Sequence, residues 1–148
     1  QQNPHQGKMC IAVTINWANP YWVGVGFVSG PDKTMKGGPW WGKTPDGWYY
    51  DLSGLKKKKF VFHLRGENGG ERVQFKVGFL GQEKYGDSLP FPVQSKWLTL
   101  KKEWTRYELD LKKQNLSRVA SLCFVLSQAQ QTDPEAPVVF YIDDVYFE

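Results

Sequence analysis

Cysteine is scarce in this chain of 148 residues, with only Cys10 and Cys123 present, and no Cys or His pattern has metal-ligand spacing. The two thiols read either as small buried hydrophobes or as one disulfide. No apolar run approaches the ~18 residues of a membrane span. There is no internal repeat, no linker and no low-complexity stretch, so residues 1–148 read as one domain, with a core of the size such a chain can build. Helical periodicity is missing too. No signal peptide is visible and the chain opens on Gln1, as a processed, secreted chain would.

Aromatic residues, by contrast, are plentiful. Seven Trp, seven Tyr and nine Phe make up 16% of the chain, more than a core of this size needs, so some should face solvent or ligand. Fifteen Gly and nine Pro break the apolar stretches into short pieces, the punctuation of strands and turns. The net charge is +4, much of it from Lys56 to Lys59, a run best read as a solvated approach to a strand. A nucleic-acid surface would need aromatics interleaved with that charge. Here the lysines lie in a turn, away from the aromatic loops.

Alternation of apolar and polar residues predicts the strands. Residues 9–17 place Ile11, Val13, Ile15 and Trp17 on one face. Residues 21–29 place Tyr21, Val23, Val25 and Phe27 on one face and Trp22, Gly24 and Gly26 on the other. Glycine in a strand marks either close approach of a ligand or a tight contact between sheets. Residues 60–79 read as a hairpin turning at Gly69-Gly70, with Leu64 opposite Phe75 and His63 opposite Lys76. In that register Phe60, Phe62, Leu64, Val73, Phe75, Val77 and Phe79 share a core face, while His63, Arg65, Glu67, Arg72, Gln74 and Lys76 form a polar stripe on the other. Residues 98–100 and 104–111 follow as strands, the second facing inward through Tyr107, Leu109 and Leu111. Trp17 and Trp104 each abut an alternating strand and are assigned to the core. Residues 119–127 form a central strand, and the polar loop 128–137 leads to a closing strand over 138–148. In that last strand, Phe140 and Ile142 point one way, Tyr141 and Asp143 the other. By the same alternation Asp143 and Asp144 point to opposite faces and cannot act as a catalytic pair. The sum is an all-β, two-sheet antiparallel sandwich (a jelly roll) of about eight or nine strands, with little or no helix.

The loops hold candidate binding residues. Residues 29–47 are rich in Gly, Pro, Lys and Asp yet contain Trp40-Trp41, a pair that either forms a ligand platform or is partly folded back into the core. The segment Tyr85-Gly-Asp-Ser88 opens a second loop.

The segments 3–11, 51–54, 62–67, 69–77, 85–88, 98–111 and 140–148, in this order and spacing, resemble the β-jelly-roll carbohydrate-binding modules with a galactose-binding-like fold that accompany bacterial cellulases and hemicellulases. The resemblance implies a non-catalytic, extracellular module that holds an enzyme or assembly on a polysaccharide. Many such modules carry a structural calcium. Its counterparts here would be Asp143 on the last strand and a backbone carbonyl near Lys8, fewer oxygens than the ion requires. Related modules also have a strand ahead of the Asn3-Pro-His5 segment. Without it, a sheet edge would stay open.

In such a module aromatic faces stack on pyranose rings while polar groups fix the hydroxyls. The expected ligand is a plant-type β-glucan or a related polysaccharide. Trp22, Trp40, Trp41, Trp48 and Tyr85 are the candidates for stacking, and His63, Arg65, Gln74 and Asp87 for hydrogen bonding. Two other readings compete: an assembly subunit that associates with other protomers through the open sheet edge, and a compact polysaccharide lyase or glycosidase, for which His63 with Arg65 and Lys76, or a pair such as Glu67 and Glu71, would supply the chemistry.

Overall fold

The computed structural model describes residues 3–17, 21–28, 51–78, 87–119 and 121–148. Among these are nine strands: β1 (Ile11–Ile15), β2 (Trp22–Val28), β3 (Lys59–Gly66), β4 (Arg72–Val77), β5 (Val93–Gln94), β6 (Leu98–Thr99), β7 (Thr105–Asp110), β8 (Ser121–Ser127) and β9 (Val138–Phe147). A single 3-10 turn, Gln128–Gln130, follows β8. The strands form two antiparallel sheets. One has four strands in the order β1-β9-β3-β7. The other has the order β2-β8-β4-β5, with β6 also pairing β4. The expected all-β sandwich is therefore present.

The core lies between the sheets and follows the period-2 pattern. Phe60, Phe62 and Leu64 of β3 and Phe140 and Ile142 of β9 point inward from one side. Val73, Phe75 and Val77 of β4 and Phe124 and Leu126 of β8 point inward from the other. Aromatic rings link the layers: Phe62 stacks on Phe75 and Phe124 meets Phe140 edge-on at 5.3 Å across the core, while Phe75 meets its sheet neighbour Phe124 at 5.7 Å. The connections add Leu89, Leu100, Leu111 and Leu116. Val13, Ile15 and Trp17 pack against this core from the β1 side.

The expected hairpin over residues 60–79 is not formed. β3 pairs with β7 and β9, while β4 pairs with β8, β5 and β6. The Gly69-Gly70 turn, with φ of 77° and 97°, instead carries the chain from one sheet across to the other. Its crossing is held by Gly66 N–H donating to Lys101 O and Gly70 N–H donating to Leu100 O. A hairpin and an inter-sheet arch place the same residues inward, so periodicity cannot separate them. What separates them is burial: two strands with strong apolar faces cover those faces when they oppose each other across a sandwich, but not when they lie side by side.

This crossing divides the polar stripe. His63 and Arg65 lie on the outer face of the four-stranded sheet, and Arg72, Gln74 and Lys76 on the outer face of the five-stranded one. The core separates the two sets.

Candidate functional site

The outer face of the five-stranded sheet is built row by row. Trp22 lies opposite Ser127. Gly24, Val125 and Gln74 form the next row, and Gly26, Cys123, Lys76 and Gln94 the one after. Their chain neighbours Val25, Phe124 and Phe75 face the core, so these side chains point away from it. Trp22 is 63% exposed, an unusual position for an indole on a sheet. Its ring reaches along the strand to Gly24, where Cζ3 lies 3.5 Å from the position a Cβ would occupy. That spacing is an ordinary van der Waals contact, so the indole lies along the strand over Gly24.

Polar groups on this face are anchored. The Gln74 side-chain Nε2 donates to Ser95 O at 2.9 Å, which fixes the plane of its amide. At the end of β4, the amide of Gln131 acts as a substitute strand partner. Its Oε1 accepts from Arg72 N–H at 3.0 Å, while its Nε2 donates to Arg72 O at 2.8 Å and to Ser127 O at 3.2 Å. Cys123 is buried on this face, and that burial pushes its thiol up to about 11, against a lowering by Lys76. Cys123 and Cys10 are both free thiols, so the disulfide left open by the sequence is not formed. Asp87 is fully buried: its carboxylate accepts from the Ser121 hydroxyl at 3.1 Å and from Leu89 N–H at 3.4 Å. Trp40, Trp41, Trp48 and Tyr85 lie outside the described residues.

The outer face of the four-stranded sheet is covered by the chain's own N-terminal segment. The His5 ring stacks on the His63 ring with centroids 4.1 Å apart. The Trp104 indole N–H donates to Asn3 O at 2.8 Å, and His5 meets Trp104 edge-on at 6.0 Å. The Arg65 guanidinium lies 3.9 Å from the centre of Tyr141 and 5.5 Å from that of Trp104. Tyr141 OH in turn donates to Glu67 at 2.7 Å, and this bond is the main reason its phenol pKa is raised. His63 and Arg65, expected among the hydrogen-bonding residues of one cleft, are thus parts of a packed polar and aromatic cluster remote from Gln74. Trp104, expected in the core, belongs to this cluster. The alternation placed it beside an apolar strand, but it precedes β7 and turns outward to its partners.

Asp143 and Asp144 also depart from simple alternation. β9 carries one extra residue against β3 between the pairs His63–Asp143 and Val61–Tyr146, and Asp144 takes a positive φ of 45°. This bulge brings both carboxylates to His5. Asp143 Oδ2 accepts from His5 N–H at 2.8 Å and from Gln6 N–H at 3.2 Å, and Asp144 Oδ2 lies 2.7 Å from His5 Nδ1. Both acids therefore reach the N-terminal segment, where strict alternation puts them on opposite faces; they do so as partners of His5 and not as a catalytic pair.

Among the described residues the expected calcium finds few free oxygens. The ion takes six to eight oxygen ligands, whereas the Asp143 carboxylate is engaged by N–H donors of His5, Gln6 and Asp144. Lys8 lies exposed in the same segment, and the neighbouring side chains offer two ring nitrogens and the Asp144 carboxylate, few oxygens for such an ion.

A family model described as "Carbohydrate binding domain 30" matches residues 7–148. The chain belongs to this family of carbohydrate-binding domains. Two solved structures of family 30 carbohydrate binding modules are similar to it. One is 18% identical with a TM-score of 0.45, covering 66% of this chain and 52% of its own. The other is 19% identical with a TM-score of 0.43, covering 68% of this chain and 61% of its own. The chain thus spans between half and two thirds of the length of either structure. No curated protein matches.

Proposed function

We propose that this chain is a non-catalytic binding module that holds a secreted enzyme or assembly on a polysaccharide of the plant β-glucan type, and that it binds through the outer face of the five-stranded sheet. Trp22 carries this reading. An indole that is 63% exposed, lying over Gly24 on a rigid strand, offers a flat apolar surface to the C–H face of a pyranose. Beside it, the ammonium of Lys76 supplies hydrogen bonds to sugar hydroxyls, and the anchored amide of Gln74, although only 9% exposed, is the proposed second contact. Arg72 and Gln94 extend the polar rows. Trp40, Trp41, Trp48 and Tyr85, the candidates from the sequence, complete the proposed stacking set. An appended glycoside hydrolase is the proposed partner.

The polar groups available for catalysis support binding over turnover. His63, the base a lyase would use, is buried beneath His5. Glu67 accepts the Tyr141 hydroxyl, and Glu71 accepts Asn68 N–H while filling the space over Gly66. Affinity electrophoresis against a panel of soluble polysaccharides tests the reading: retardation by a β-glucan that Trp22→Ala abolishes supports it, and migration unchanged by every glycan refutes it.

A further inference from the structure

On the opposite side of the molecule, one cluster takes no part in the proposed binding. One ring nitrogen of His5, one of His63 and a carboxylate oxygen of Asp144 lie within 4.8 Å of one another. A second observation sets this cluster apart from an ordinary surface ion pair. His63 is 8% exposed, and its Nδ1 is buried with no hydrogen-bond partner. A buried polar atom in that state has given up water without replacement and is costly unless something binds it. Asp144, meanwhile, sits at a φ of 45°, a conformation that non-glycine residues seldom adopt. That backbone turn brings its carboxylate to His5.

We propose that His5, His63 and Asp144 bind a divalent transition-metal ion of the zinc class, and that the ion pins the N-terminal segment to β3 and β9. Two imidazole nitrogens and one carboxylate oxygen are a donor set that suits zinc and not calcium. A tetrahedral ion with bonds of about 2.0–2.2 Å holds its ligand atoms about 3.4 Å apart, closer than the 4.8 Å within which the three now lie. Stacked rings within 17° of parallel aim their lone pairs side by side, so binding swings one ring out of the stack. His63 is fixed on the central strand β3, whereas His5 lies outside the strands and supplies most of that movement. Asp143, which accepts from His5 and Gln6 N–H, holds the segment in register from behind. With three protein ligands, the fourth position is left to water.

The test uses the full chain, free of any affinity tag and stripped of metal, titrated with zinc and separately with calcium by calorimetry and thermal unfolding. The expected result is one zinc per chain, a higher Tm with zinc and no shift with calcium. His5→Gln and Asp144→Asn each weaken zinc binding at least about tenfold. Asparagine tolerates the positive φ at 144, so the second variant keeps the fold. Cys10→Ser leaves binding unchanged. Absence of zinc binding, binding retained in both ligand variants, or binding lost only in Cys10→Ser would overturn the proposal. Retardation by polysaccharide, measured on the same variants, is expected to stay at its parent value. Failure of this inference is thereby separated from failure of the binding role.

Discussion

Phe62 and Phe75 stack with ring centroids 4.0 Å apart and planes 17° apart, although they belong to different sheets. Neither ring is more than 2% exposed. The pair is the point at which the two layers of the sandwich hold each other. Truncating either ring removes a large buried surface and leaves a cavity, so Phe62→Ala or Phe75→Ala is expected to cost ~3–5 kcal/mol in urea unfolding. A double-mutant cycle should return a coupling of ~0.5–1.5 kcal/mol for the contact itself. Zero coupling would contradict the facing arrangement of β3 and β4.

Gly78 ends β4 at a φ of 76°, and a Cβ there would lie 2.9 Å from the Leu89 Cβ. Both the backbone and the space demand glycine. Gly78→Ala is expected to destabilise the fold by about 1 kcal/mol or more. Gly54→Ala is the control: nothing lies within 4 Å of the position its Cβ would take, and its φ is not positive. Its midpoint in urea should match that of the parent.

The two thiols should differ in reactivity. Cys123 is buried, with its pKa pushed to about 11 chiefly by desolvation, and the thiolate is the reactive form. Cys10 is half-buried, and its smaller upward shift comes first from desolvation and then from Asp143. Iodoacetamide at mildly alkaline pH should label Cys10 in the native chain and reach Cys123 only after unfolding, as read by peptide mass spectrometry. Equal labelling rates would contradict the described burial of Cys123.

At the far end of β9, Glu148 accepts from Lys57 at 2.9 Å and from Arg106 at 3.1 Å, and Glu108 accepts from Lys59 and Arg106, both at 2.6 Å. The pKa of Glu148 is lowered first by its bond to Lys57, and that of Glu108 first by its bond to Lys59. Because the folded pKa lies below the unfolded one, this contribution is fully present above the unfolded value. It is lost as pH falls through the folded value. Tm should therefore decline below the ordinary glutamate range, and Glu148→Gln should flatten that decline slightly. The effect is small because the pair is exposed and screened by salt. An acid limb that Glu148→Gln leaves unchanged would remove the network from the account.

Much of this fold is legible in the sequence because burial imposes a period of two on each strand. β1, β7, β8 and β9 lie where the alternation puts them, and Phe60, Phe62, Leu64, Val73, Phe75 and Val77 are all buried as it requires. Pairing is less legible. The Gly69-Gly70 signal marks a turn correctly, but a turn between neighbouring strands and a turn between facing sheets use the same residues. A hairpin reading therefore puts His63 and Gln74 on one face, and they lie on two. The bulge at Asp144 is likewise invisible to a strict alternation: one extra residue reverses the side on which an acid lies. Trp22 with Gly24 and Gly26 is readable from the sequence as one face of β2, and the indole on it is exposed. The role of Gln131 is not readable, since a side-chain amide standing in for a strand partner carries no local pattern.

The central claim is that the chain binds polysaccharide through the outer face of the five-stranded sheet. It is tested most directly by affinity electrophoresis of the parent, Trp22→Ala and Arg65→Ala in gels containing a soluble β-glucan, with Tm measured on all three. The account predicts retardation of the parent and of Arg65→Ala, its loss in Trp22→Ala, and a Tm for Trp22→Ala close to that of the parent. Retardation that survives in Trp22→Ala but disappears in Arg65→Ala would contradict it and move the binding site to the other sheet.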